Sequence, residues 1–66
     1  MQITLNGQPR DCGQGATVTQ LLLQSGYAGR RVAVEVNHEI VPRSQHDGRQ
    51  LREGDRVEIV HAIGGG

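Results

Sequence analysis

The residues of this chain that could do chemistry stand at its end, in Ala62-Ile63-Gly64-Gly65-Gly66. Three consecutive glycines bring no side chain to a core, and ordering them costs more backbone entropy than ordering any other tripeptide. They contribute nothing to stability. What they offer is a thin thread that extends ~10 Å and closes on a carboxylate. The expectation is that the terminal carboxylate of Gly66 is the working group, with Gly64 and Gly65 threading it into a narrow cleft on a partner.

Other candidate chemistry is sparse. Cys12 is the lone cysteine, so no internal disulfide can form. It reads as a small half-buried hydrophobe in a strand rather than a reactive thiol. His38, His46 and His61 lack the close spacing of a metal site. No nucleophile–base pair is visible, so an enzyme with its own catalytic residues is not expected. All seven cations are arginine. A chain without lysine cannot receive another copy of itself on a side-chain amine, which leaves only the Met1 amine.

Composition narrows the class further. Sixty-six residues make one domain that buries about 60% of its unfolded surface, too little for a deep cavity with a supporting shell. A carrier, adaptor or binding module fits that size. Tyr27 is the only aromatic residue, so there is no stacking platform for single-stranded nucleic acid. Seven arginines balance seven acids without a basic run, so no footprint for nucleic acid or anionic lipid exists. No apolar run approaches a membrane span and no signal pattern opens the chain, which makes a cytoplasmic location the expectation.

The elements that must carry the tail are short. Ile3 and Leu5 alternate with polar neighbours, and Asn6-Gly7 is a strong two-residue hairpin signal. Gln8 to Cys12 returns as a strand placed at an edge by Pro9. Thr17 and Gln20 form a capping box. Val18, Leu21 and Leu22 then share one face of a two- to three-turn helix that Ser25-Gly26 ends. Val32, Val34 and Val36 alternate inward. Asn37-His38-Glu39 reads as a turn, Ile40-Val41 as a short strand stopped by Pro42, and 43–50 as a polar loop. Leu51 is an isolated apolar anchor and Glu53-Gly54-Asp55 a turn. Arg56 to Ile63 is the last strand, with Val57, Ile59 and Ile63 on one face and Glu58, Val60 and Ala62 on the other. One helix against one sheet is a two-layer α+β domain. It covers residues 1–63 and leaves 64–66 as tail. The uncovered face, through Glu58, Val60 and Ala62, is the expected docking surface for a partner.

This order resembles the β-grasp fold of ubiquitin-like proteins, a mixed sheet with one helix packed on one face. Within that fold it is similar to the sulfur carriers of thiamine biosynthesis, the ThiS family. The resemblance spans the chain. It rests on Met1-Gln2-Ile3, Thr17-Val18 with Leu21-Leu22, Val34 through Asn37, Ile40-Val41-Pro42-Arg43, Glu53-Gly54-Asp55, Val57 with Ile59, and Gly65-Gly66. Two departures are visible. His46 stands in the loop after Pro42-Arg43, where relatives often carry a tryptophan, which puts the contacts of that ring in question. Gly64 adds a third glycine to the usual pair.

The resemblance implies a mechanism centred on Gly66. An adenylating enzyme (E1-like, ThiF type) uses ATP to activate the carboxylate, and a persulfide donor protein supplies sulfur. The resulting thiocarboxylate delivers it to a thiazole synthase (ThiG type). No cofactor is bound by the carrier itself. Other readings are the small subunit of molybdopterin synthase on the same fold, and a ubiquitin-like modifier that forms isopeptide bonds. A β-grasp binding module without terminal chemistry is a third.

Overall fold

The structure, a computed structural model, describes residues 1–61. Five strands form one mixed sheet: β1 (Gln2–Leu5), β2 (Gln8–Asp11), β3 (Val32–Val36), β4 (Glu39–Val41) and β5 (Arg56–His61). Their order across the sheet is β2-β1-β5-β3-β4. The last strand in sequence is therefore central in space. It runs parallel to β1 and antiparallel to β3. Among the described residues a single α-helix, α1 (Val18–Gln24), joins the β1–β2 hairpin to the β3–β4 hairpin.

Both hairpins close through two-residue turns with positive φ at each central residue, Asn6-Gly7 and Asn37-His38. Backbone twist in such turns matches that of the flanking strands. Each asparagine also completes the sheet beyond the point where its own strand turns away. Asn6 Oδ1 accepts the Ile59 amide at 2.8 Å, and Asn37 Oδ1 accepts the Arg56 amide at 2.9 Å. β5 is longer than its pairing with β1, and the side chain of Asn6 supplies an acceptor where the β1 backbone does not. Glu39 belongs to β4 rather than to the turn, because the turn closes in two residues.

Pro9 lies in β2, at the sheet edge, opposite Thr4. The Thr4 amide points the other way, to the Asp55 carbonyl beside β5, so no ladder bond is asked of the proline.

The capping box at Thr17 is formed in both directions: the Gln20 amide donates to Thr17 Oγ1, and the Thr17 amide to Gln20 Oε1. The remaining first-turn amides, Val18 and Thr19, donate to the carbonyls of Arg49 and His46. Every orphan donor at this helix start thus has a partner, and the 46–51 segment is tied to the helix by the same bonds. Gly26, at φ +83°, lets the chain leave the helix in a left-handed conformation.

Val18 and Leu21 press on Ile3, Val34, Val36 and Val57, and these six side chains are essentially sealed from solvent. Leu51 joins them, as does Cys12, which is buried rather than half-buried and lies one residue past β2. The 43–50 segment is more ordered than a plain loop, because Arg43–Gln45 forms a 3-10 turn. His46 then turns into the core at 7% exposure, its Nε2 donating to the Val41 carbonyl at 3.0 Å. The ring is packed and its polar atom satisfied, which settles the position left in question by its departure from tryptophan.

Candidate functional site

β5 is the last described element, and residues 62–66 follow it in sequence. Alternation along it is strict: Val57 and Ile59 are buried, while Arg56, Glu58 and Val60 are exposed. A central strand paired on both sides gives these residues a fixed backbone. At its far end His61 is paired with Val32, and its ring meets Tyr27 edge-on with centroids 5.7 Å apart. The strand that leads to 62–66 is therefore held by backbone bonds and by a ring contact.

The face opposite the helix has no covering layer among the described residues. Register assembles it. Val60 lies across from Ala33, Glu58 across from Glu35, and Glu35 across from Ile40. Val60 and Ile40 are 60% and 62% exposed, on the strands that flank β3. Directly opposed like charges disfavour a strand pair, yet Glu35 and Glu58 face each other with no cation in ion-pair range among the described residues. A cation brought by a partner would relieve that repulsion.

The expected docking residues Glu58 and Val60 are thus where the alternation put them, side by side on the open face. Ala62, the third, lies outside the described residues, as do Ile63, Gly64, Gly65 and Gly66. Sequence reasoning missed Ala33, Glu35 and Ile40. Their outward parity was readable within each strand, but their placement beside Glu58 and Val60 depends on cross-strand register.

The remaining titratable candidates play structural parts. Burial pushes the Cys12 thiol up from its ordinary range, outweighing the nearby cations at Arg10 and the chain amine. It is neutral at physiological pH and a poor nucleophile. Asp55, also buried, accepts the Arg52 amide and the Asn37 Nδ2 hydrogen, which pins the turn before β5. Among the described residues no cluster of three His, Cys, Asp or Glu side chains could hold a metal. No described helix is long and apolar enough to cross a membrane.

A mixed sheet with two outer hairpins, a parallel central pair and one helix across it is a ubiquitin-like β-grasp. Among solved structures, a thiamine biosynthesis protein (ThiS) from Geobacter metallireducens superposes over all of both chains with a TM-score of 0.87 at 35% identity. The ThiS family model matches residues 3–66. The sulfur carrier protein ThiS of Escherichia coli K12 is 36% identical over the full length of both chains. The chain belongs to the ThiS family. It is also 44% identical to part of the thiazole synthases of Magnetococcus marinus and Paramagnetospirillum magneticum, and spans only about a fifth of the length of those relatives.

Proposed function

We propose that this protein is a sulfur carrier for thiazole formation in thiamine biosynthesis, working through the carboxyl group of Gly66. The observation that carries the reading is the full-length similarity to a protein named as a sulfur carrier, joined to a sequence in which Ala62-Ile63 and then Gly64-Gly65-Gly66 follow the central strand. The thiazole synthase relatives add support for the acceptor. In them a segment similar to this chain occupies about a fifth of a longer polypeptide. A carrier-like unit and a synthase made as one chain are the kind of pair that works together.

The chemistry follows from the weakness of a carboxylate as an electrophile. With an unperturbed pKa of about 3.5 it is ionised at neutral pH, and its charge repels nucleophiles. Attack of the Gly66 carboxylate on the α-phosphorus of ATP expels pyrophosphate and leaves an acyl adenylate. A persulfide sulfur on a donor protein then attacks the acyl carbon, and AMP departs. A thiol next attacks the donor's sulfur, closing a disulfide and releasing the thiocarboxylate on Gly66. Glycine at this position places no Cβ beside the carbonyl, and Gly65 and Gly64 let the backbone pass a tight channel. ATP and sulfur are handled by the partners: an adenylating enzyme, a persulfide donor and a thiazole synthase. A cytoplasmic setting suits that traffic.

The carrier contributes position. Immobilising the tail opposes binding, and contact at Glu58, Val60 and Ala62, extended by Glu35 and Ile40, offsets part of that loss. The reading requires a free carboxyl on Gly66. Intact-mass spectrometry of the protein taken from cells tests it: a fraction with one carboxyl oxygen replaced by sulfur is expected. Complete absence of that species, with an adenylating enzyme and a sulfur donor present, would sink the proposal.

A further inference from the structure

A second concave surface lies on the helix side of the sheet. It is a groove of about 430 Å³ between α1, the 27–31 loop and the 3-10 turn. Its apolar part is formed by Leu22, Leu23 and Val32, and Leu23 is 61% exposed. Around it stand Arg30, Arg31 and Arg43, all exposed. None has a carboxylate in ion-pair range among the described residues. The one acid in the lining, Asp47, already accepts the Thr19 hydroxyl. Three guanidinium groups against one carboxylate leave the groove strongly cationic in a chain whose overall charge is zero. The walls are preformed. The loop is closed by the Tyr27 amide on the Leu22 carbonyl and the Arg30 amide on the Tyr27 carbonyl, while the 3-10 turn is backed by the buried His46.

We propose that this groove docks an acidic segment of a partner protein, with one aliphatic side chain against Leu22, Leu23 and Val32 and flanking carboxylates on Arg30, Arg31 and Arg43. Charge complementarity selects the occupant. Guanidinium groups pair with carboxylates through two parallel hydrogen bonds, and an exposed apolar floor between them suits a leucine-like residue. A nucleotide fits less well, because a base needs a stacking platform and Tyr27, the one tyrosine, phenylalanine or tryptophan of the chain, is already in T-shaped contact with His61. The contact also joins the groove to β5. A partner seated here would sit beside the root of the tail, on the opposite side of the sheet from Glu58 and Val60.

The probe is a short fluorescein-labelled peptide of leucine, aspartate and glutamate, titrated into the full chain and followed by anisotropy and by amide NMR shifts. Shifts centred on 27–32 and Arg43 are expected, with affinity falling as salt rises. The double variant Arg30→Glu/Arg43→Glu replaces two attractions with repulsions and should weaken binding by roughly tenfold. Leu23→Asp should weaken it as well, and Val60→Asp, on the other face, should not. Each variant is first shown to fold by its NMR spectrum. The proposal is overturned if the peptide does not bind, or if the double variant binds as tightly. It is equally overturned if a leucine–lysine peptide matches the acidic one, or if inorganic phosphate displaces the peptide at similar concentration. The measurement needs no ATP, sulfur donor or reaction at Gly66, so its failure would leave the carrier reading standing, and the reverse also holds.

Discussion

The two faces of the sheet are made by the same strands, yet they hold opposite kinds of surface. On the helix side, Val34 and Val36 of β3 and Val57 and Ile59 of β5 are buried against Val18 and Leu21. One residue along, on the open side, Glu35 faces Glu58, and Val60 and Ile40 stand in solvent. The covered face is optimised for folding. The open face keeps a like-charge pair and exposed aliphatic side chains that do nothing for folding. Alternation with a period of two lets one strand serve both purposes at once, and β5 carries the clearest case.

Substitutions on the two faces should therefore separate stability from recruitment. Leu21→Ala, on the covered side, removes a sealed side chain and should cost about 2–5 kcal/mol, a large share of the margin of a domain this small. Chemical denaturation measures it, and any loss of sulfur loading should track the unfolded fraction. Thr17→Ala deletes the helix cap and should cost about 1 kcal/mol, read as a lower melting temperature. Val60→Asp on the open side should cost only about 1 kcal/mol, through lost strand propensity and the nearby Glu58, yet sharply reduce thiocarboxylate formation in a reaction with the adenylating enzyme. If Val60→Asp loads normally, the open face is not the docking surface and the comparison fails.

The smallest effect is confined to alkaline solution. Burial raises the Cys12 thiol pKa in the folded state. Between the unfolded and folded values the native chain therefore holds a proton that the unfolded chain has lost. Stability is full below the unfolded thiol pKa, about 8.5, and falls as pH rises toward the folded value. Cys12→Ala should flatten that decline in a pH series of denaturation curves. At neutral pH native Cys12 should react slowly with iodoacetamide and quickly once unfolded.

Local signals were legible in the sequence wherever neighbours alone decide the structure. Asn6-Gly7, the Thr17–Gln20 box and the Val32-Val34-Val36 alternation need no distant residue, and each formed as read. Asn37-His38 was harder. Its second position holds φ +71° without a glycine, so the turn looked one residue longer than it is. His46 was opaque because its acceptor, the Val41 carbonyl, is supplied by the tertiary fold. The groove was opaque for the same reason: Arg30 and Arg31 meet Arg43 only once α1 and the 3-10 turn pack together. Glu58 and Val60 could be named from the parity of one strand. Glu35 and Ile40 could not, because register between strands is set by the turns and the core together.

The central position of β5 has a mechanical side. Consider a load applied at His61 along the axis of this strand. Its hydrogen bonds to β3 run across that axis, and the bonds around Thr4, Asn6 and Val57 hold the other edge. A load applied this way is shared by the ladder in shear rather than opening it bond by bond, as peeling an edge strand would. The body of the domain would thus stay folded under a load that peels an edge strand away.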